Sequence, residues 1–166
     1  MSEINKVNKW DRILSTFVTE FAANGHLQSL SATSIVFISY GIVYGDFASL
    51  PLLVSSYLTF QVIFWFDRLQ DHEVDLVDNP ERSLHVSRNL TRIRFSIIAA
   101  ILLNLIIIIQ TSNFRFLWIN ICVILLGVLY PILFKQITRV IPIFKNLYVS
   151  IFFTFLVLFP SLYLGI

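Results

Sequence analysis

Three aspartates at helical spacing are the residues of this chain best suited to chemistry. Asp67, Asp71 and Asp75 lie four residues apart, so on a helix they form one inclined row. They belong to a cluster, ending at Glu81, that holds six of the ten acidic residues. Like charges at this spacing destabilise a helix by roughly 0.2–0.5 kcal/mol per pair, so the row indicates a bound cation. Oxygen ligands of this kind suit Mg²⁺, which also binds substrate phosphates.

The cluster continues directly from an apolar segment, residues 62–66, at the level where lipid meets water. A solvated acidic loop without a ligand is the alternative, but this position favours a functional site. Arg82, just past Pro80, is favoured as a substrate-binding residue. For the later arginines two roles stay open, holding phosphate, or neutralising the acids and touching anionic headgroups. The later arginines are Arg88, Arg92 and Arg94.

The composition excludes an ordinary soluble domain. Apolar residues make up 57% of the chain and charged residues 13%, and the mean hydropathy is +0.78. The apolar residues come in blocks close to the roughly 20 residues that a membrane-spanning helix needs. The single cysteine, Cys122, lies in such a block, so no disulfide can form within the chain.

These blocks predict an all-α fold, a polytopic transmembrane helix bundle of about five spans. The predicted spans cover residues 30–44, 50–66, 95–110, 116–134 and about 147–166. Asn104 lies at the centre of the third span and should face other helices, because an amide exposed to lipid is costly. Pro160 interrupts the fifth span, and neighbouring helices or the membrane boundary must accommodate the freed carbonyl.

An N-terminal segment and a long polar loop complete the predicted organisation. Residues 1–28 form an amphipathic helix, either on the membrane surface or docked under the bundle. Its apolar residues recur at spacings of three and four, and they are Trp10, Ile13, Leu14, Phe17 and Phe21. Residues 29–166 form the transmembrane domain, with its longest polar loop at 67–94. In that loop the Asn79-Pro80 pair should end the helix of the second span.

The lysines and arginines predict the orientation in the membrane. Eleven of the twelve lie on one side of the predicted spans, in the N-terminal segment and in the loops 67–94 and 135–145. Arg115 alone lies on the other side. This distribution predicts an integral, multi-pass membrane protein with its N-terminus and its aspartate-rich loop in the cytoplasm.

Carboxylates at the cytoplasmic end of a phenylalanine-rich membrane helix suggest an isoprenyl diphosphate as substrate. Mg²⁺ would hold the diphosphate at the level of the headgroups while the isoprenoid tail lies along the apolar helices. Ionisation of an allylic diphosphate leaves a carbocation, and the metal stabilises the charge on the leaving group. Aromatic faces could steady the cation or be ordinary interface residues. The candidates are Tyr57, Phe64, Trp65 and Tyr130.

The aspartate row resembles the first aspartate-rich motif, N-D-x-x-D-x-x-x-D, of the UbiA family of intramembrane prenyltransferases. Asp71 and Asp75 match the last two aspartates of that motif. Asp67 falls at its opening asparagine, and Arg68 replaces its first aspartate. A family variant with Arg-x-x-Asp-Glu-x-x-Asp, followed by Pro-x-Arg-Pro, is closer still.

Further segments are similar to the same family. The sequence Pro80-Glu-Arg82-Ser83 matches Pro-x-Arg-Pro except that Ser83 replaces the final proline. Residues 129–135 and 143–148 are similar to the segment between the fourth and fifth helices of the family. The resemblance therefore runs from about residue 30 to residue 166.

The resemblance implies a fold of nine helices with two aspartate-rich motifs facing a central cavity, and this chain resembles its first half. It implies Mg²⁺-dependent transfer of a prenyl group from an isoprenyl diphosphate to an apolar or aromatic acceptor. The implied metal ligands are Asp67, Asp71 and Asp75, and the implied catalytic residues are Asp71, Asp75 and Arg82. The residues implied to bind the diphosphate are Asp67, Arg68, Arg82, Lys135 and Lys145.

The chain departs from the family because no Asp or Glu follows Glu81, so the second motif is missing. It could be a fragment, one half of a split enzyme, an inactive truncated relative, or a subunit that assembles with its own copies. A partner half is the favoured expectation, because an open half-bundle would expose polar cavity residues to lipid.

Two functions outside catalysis remain open for the same residues. One is a non-catalytic membrane protein that binds an isoprenoid lipid or scaffolds a partner, which the missing second motif favours. The other is a small transporter, a weaker alternative because the predicted spans lack the ionisable residues that a coupled carrier needs. The bilayer is an expected partner in each case, and nucleic acid is not.

Overall fold

The computed structural model describes residues 9–72, 77, 80–111, 114–134, 137 and 141–164. Within these ranges the chain is helical apart from short turns. The helices are α1 (Lys9–Ala23), α2 (His26–Tyr44), α3 (Leu50–Asp71), α4 (Pro80–Arg88), α5 (Leu90–Gln110), α6 (Phe114–Leu129), which continues as a π-helical turn (Tyr130–Phe134), and α7 (Pro142–Leu164). The predicted all-α class is confirmed.

Among the described residues, four helices are long and apolar enough to cross a membrane, namely α2, α3, α5, and α6 with most of its π-helical turn. Helix α7 carries a shorter apolar stretch, Ser150–Leu164. Large apolar side chains are exposed on the outer faces of the bundle, among them Ile42, Phe95 and Trp118, as expected where lipid replaces water. The chain is a multi-pass membrane protein whose bundle has roughly five spans.

Helix α3 lies at the centre of the bundle, packed against α2, α5 and α6. Three of its buried residues, Leu52, Phe60 and Ile63, join one apolar core. The other helices contribute Val36, Ile108, Phe116, Val123 and Phe159 to that core. Gly127 allows α6 to approach α3, because a Cβ at this position would lie 2.5 Å from Cγ1 of Ile63. Packing along the whole length of α3 therefore fixes the position of its end.

Four polar side chains join α3, α5 and α6 in the middle of the bundle, and we call them the amide network: Ser55, Thr59, Asn104 and Asn120. Ser55 Oγ donates to Asn104 Oδ1 at 2.7 Å, and Asn104 Nδ2 donates to Thr59 Oγ1 and Asn120 Oδ1, both at 3.0 Å. Asn120 Nδ2 donates to Thr59 Oγ1 at 2.7 Å. All four residues are at most 1% exposed. Asn104 faces other helices, as predicted.

The predicted loop 67–94 is largely helical where it is described. Helix α3 continues to Asp71, and α5 begins at Leu90, each five residues beyond its apolar block. Pro80 begins α4, a position that its fixed φ and missing N–H favour. Helix α3 ends earlier, at Asp71, and the effect of Pro80 on the residues just before it stays a prediction. Residues 73–76, 78 and 79 lie outside the described residues.

The outermost helices also differ from their sequence-based bounds. Helix α2 begins at His26, directly after the Gly25 turn, which has a φ of +77° that favours glycine. Helix α1 exposes Leu14 and Phe17, and its contact with the membrane surface stays a prediction. Helix α7 continues through Pro160, where the sequence predicted an interruption.

Candidate functional site

Four charged side chains line one cavity at the carboxyl end of α3. The cavity has a volume of about 160 Å³ and is lined by Gln28, Phe64, Asp67, Arg68, Asp71 and Arg82. Two carboxylates and two guanidinium groups therefore share one space, and we call it the aspartate cavity. It lies where the apolar span ends and the polar residues begin.

Helical geometry explains why α3 brings its own residues to this cavity. Phe64, Asp67, Arg68 and Asp71 are three and four residues apart, so they share one face of α3. The helix does not end with its apolar block because Arg, Leu and Gln are good helix formers. Asp67 and Asp71 are partly exposed, as residues that bind a soluble group must be.

Arg68 is buried beneath the turn between α1 and α2. Its side chain is 8% exposed, and Nη2 donates to the carbonyl oxygen of Ala22 at 3.4 Å. Gly25 makes this contact possible, since a Cβ there would lie 3.2 Å from both Nε of Arg68 and Cβ of Phe64. The N-terminal turn thus helps to position one cation of the aspartate cavity.

Helix α4 brings Arg82 to the same cavity through its neighbour Ser83. The Ser83 hydroxyl, which is fully buried, donates to the carbonyl oxygen of His72 just after the end of α3. His72 is itself fixed by a 2.7 Å contact of Nδ1 with the carbonyl of Leu69. Ser83 stands where the family motif has proline, and a proline could not make this bond.

The predicted site residues fall into two groups. The structure brings Asp67, Arg68, Asp71 and Arg82 together around the aspartate cavity. Three other predictions cannot be placed there: Asp75 and Lys135 lie outside the described residues, and Lys145 belongs to α7 with its side chain undescribed.

The described residues provide two of the three predicted metal ligands. No group of three or more His, Cys, Asp or Glu side chains among the described residues is arranged to hold a metal. Two carboxylates are nevertheless an adequate protein contribution, because Mg²⁺ usually keeps several waters and is completed by substrate phosphates. The Asp67 and Asp71 pair therefore fits a Mg²⁺ ion that is bound together with a phosphorylated ligand.

The size of the aspartate cavity limits what it can enclose. Its volume is about 160 Å³. Pockets that enclose drug-sized ligands are larger, roughly 300–1,000 Å³. The cavity has room for a hydrated ion with a small anionic group, and an apolar tail would lie outside it.

Sequence reasoning missed part of the lining, and one of its four aromatic candidates lies there. Gln28 lies on α2, and nothing in its local sequence indicates proximity to the aspartates. Of the four aromatic candidates, Phe64 lines the aspartate cavity. The His26 ring stacks on Tyr57 and meets the edge of Trp65, while Tyr130 packs on Tyr148 at 4.5 Å.

In comparisons with known proteins, no family model, curated protein or solved structure matches this chain. The resemblance to the UbiA family stays a prediction that depends on the motif residues alone.

Proposed function

We propose that the aspartate cavity binds the Mg²⁺-diphosphate group of an isoprenyl diphosphate, as the donor half-site of a UbiA-like prenyltransferase. One observation carries this proposal: Asp67, Asp71, Arg68 and Arg82 line a single cavity at the polar end of a membrane-spanning helix. Carboxylates are ligands for the metal, and guanidinium groups bind phosphate oxygens. The cavity therefore carries both kinds of group that a metal-diphosphate requires.

Each residue has a distinct role in this proposal. Asp67 and Asp71 hold the metal, which when bound neutralises the diphosphate and makes it a better leaving group. Arg82, from a separate helix, donates hydrogen bonds to phosphate oxygens. Arg68, anchored beneath the α1–α2 turn, contributes a fixed positive charge. Phe64 lies beside these groups on the side of the apolar span, where the isoprenoid tail would begin.

Formal charge supports the same ligand. Among the described lining residues, the formal charges of two aspartates and two arginines sum to zero. In a bound metal-diphosphate, the cation would lie beside the carboxylates and the anion beside the guanidinium groups. Each part would then meet a group of opposite charge. Either ion alone would lack one half of this complementarity, so the two should bind together.

The rest of the enzymatic proposal extends beyond the described residues. We place the cavity on the cytoplasmic side because eleven of twelve Lys and Arg residues lie on that side of the spans. The second metal-binding motif of the family would come from residues outside this sequence. The acceptor would be an apolar or aromatic molecule.

Equilibrium binding of geranylgeranyl diphosphate to the purified chain in detergent tests this proposal. We expect binding in Mg²⁺ to exceed binding in EDTA by at least about tenfold, or roughly 1.4 kcal/mol. The double variant Asp67→Asn/Asp71→Asn should lose this difference, because amides are much poorer ligands for a hard cation.

Asp46→Asn provides the matched control at the opposite end of α3. Asp46 is exposed and accepts a hydrogen bond from the backbone N–H of Phe47 at 2.7 Å, which an asparagine preserves. This variant should bind as the wild type does. Metal-independent binding that survives in the double variant would contradict the donor half-site and favour a non-catalytic isoprenoid-binding protein.

A further inference from the structure

A second polar cavity lies at the same end of the bundle and shares no lining residue with the aspartate cavity. It has a volume of about 190 Å³ and lies among α3, α4, α5 and the α1–α2 turn. Its polar lining includes His26, Trp65, His85, Asn89, Arg92 and Ser96. We call it the histidine cavity.

The side chains of the histidine cavity are suited to an anion. They supply a guanidinium, an indole N–H, a hydroxyl, amides and two imidazoles, and none of the described residues that line the cavity is acidic. The described lining of the aspartate cavity has two acids beside two arginines, whereas the described lining here gives Arg92 no acidic neighbour. An anion is the ligand that this set of donors would stabilise.

Trp65 supplies the most direct indication of a missing acceptor. Its Nε1 is buried and has no hydrogen-bond partner among the described residues, and Trp65 lines the cavity. A buried N–H without an acceptor is costly, and such groups in folded proteins nearly always have a partner. An oxygen of a bound ligand would supply that acceptor.

The side chains around the cavity are held in place before any ligand arrives. His26 Nδ1 lies 2.6 Å from the Tyr57 hydroxyl, and the edge of the His26 ring meets Trp65 at a centroid distance of 5.9 Å. Asn89 Nδ2 donates to the carbonyl of His85 at 2.9 Å, which joins α4 to α5. Such preorganisation lowers the cost of ordering side chains on binding.

A second opening beside the histidine cavity indicates an amphiphilic ligand. Asn89 and Arg92 also line an open groove beside it, together with Arg88, Leu90 and Phe95. Phe95 is 72% exposed and belongs to the membrane-spanning helix α5. A ligand with its anionic group at Arg92 would have its apolar part beside Phe95.

We propose that the histidine cavity is a binding site for the phosphate group of a phosphate ester, with Arg92 and the indole N–H of Trp65 as its principal donors. The proposal is independent of the aspartate cavity, since it involves other residues and requires no metal. Of the two roles left open for the later arginines, the proposal assigns phosphate binding to Arg92, which lines the cavity, and not to Arg94, which does not.

Binding measurements on the full chain in detergent test the site and identify the source of the phosphate. The probes are short-chain phosphatidic acid, inorganic phosphate, and short-chain phosphatidylcholine for comparison. We expect Arg92→Gln to weaken binding of the phosphate probe at least about tenfold. Arg94→Gln should change it less than about twofold, because Arg94, which is also exposed, does not line the cavity.

The indole resonance of Trp65 gives a second readout that a general charge effect would not move. In ¹⁵N spectra, the Nε1–H signal that disappears in Trp65→Phe should shift when the probe binds, and the other tryptophan signals should not. Binding of phosphatidic acid alone would identify a lipid headgroup, and equal binding of inorganic phosphate would identify a free phosphate group. Absence of binding, equal losses in the two arginine variants, or an unmoved Trp65 signal would overturn the proposal.

Discussion

The amide network and the aspartate cavity are both polar regions attached to α3, but they differ in what their side chains contact. In the amide network, Thr59 accepts from both Asn104 and Asn120 and donates to the carbonyl of Ser55 at 2.8 Å. In the aspartate cavity, charged side chains surround a space of about 160 Å³. The side chains of the amide network bond to one another, whereas the aspartate cavity has room for a ligand.

This difference distinguishes polar residues that stabilise a membrane bundle from polar residues that can bind a ligand. Amides and hydroxyls in the middle of the bundle satisfy one another, because no water is there to do so. Acidic and basic groups at the membrane boundary can remain partly hydrated and exchange partners. We therefore expect substitutions in the first region to change stability and substitutions in the second to change binding.

The largest effect is expected from Arg82→Gln, compared with Arg115→Gln on the opposite side of the spans. Hydrogen bonds to charged groups contribute about 1.5–3 kcal/mol, so diphosphate binding should weaken about 10- to 100-fold. Titration of the detergent-solubilised chain with a labelled diphosphate in Mg²⁺ measures the loss. Equal losses in both variants would mean that general charge attraction, and not the cavity, controls binding.

Thr59→Val should destabilise the bundle more than Thr154→Val. Both threonines donate to a carbonyl four residues earlier, but Thr154 is exposed and only Thr59 also accepts from two amides. Side-chain hydrogen bonds between membrane helices contribute about 0.6 kcal/mol on average and at most about 1.7, so we expect a difference of about 1–2 kcal/mol. Reversible unfolding in mixed micelles measures it, and equal stabilities would show that the network contributes nothing beyond the local bonds.

The smallest effect is expected from comparing Gly25→Ala with Gly45→Ala. Both glycines have positive φ, +77° and +68°, so both variants incur strain of about 1–2 kcal/mol. Only at Gly25 does the new Cβ meet Arg68, at 3.2 Å from Nε, whereas nothing lies within 4 Å at Gly45. Diphosphate affinity should fall about two- to fivefold in Gly25→Ala alone. A similar fall in Gly45→Ala would show that the affinity does not depend on the contact between the N-terminal turn and Arg68.

Apolar block length and motif spacing predicted much of this molecule. The bundle followed from blocks of membrane-spanning length, and Asn104 was placed among helices because its amide cannot face lipid. Asp67 and Asp71 were assigned to one face from their spacing, and the structure brings Arg82 to them.

Long-range contacts account for what the sequence did not reveal. Arg68 gave no sign of lying beneath a turn more than 40 positions earlier, near Gly25. The short helix α4 was read as loop because its residues are mainly polar, and its docking depends on the Ser83 hydroxyl. The histidine cavity is formed by residues from four segments, and none of its described lining residues belongs to a motif.

The amide network could have been found in part. Asn104 and Asn120 are the asparagines within the predicted third and fourth spans, and amides inside a membrane require partners. Ser55 and Thr59 lie four residues apart on the predicted second span. What the sequence could not supply is which helices are neighbours, since that depends on packing around α3.

Pulsed electron paramagnetic resonance of Mn²⁺ in place of Mg²⁺ is the sharpest test of a metal-diphosphate site in the aspartate cavity. With inorganic diphosphate added to the wild-type chain in detergent, we expect Mn²⁺ bound to protein with a ³¹P coupling that shows phosphate in its coordination shell. The Asp67→Asn/Asp71→Asn variant should lose the protein-bound signal, and Asp46→Asn should keep it. A signal without ³¹P coupling, or one unchanged in the double variant, would contradict a metal-diphosphate site in the aspartate cavity.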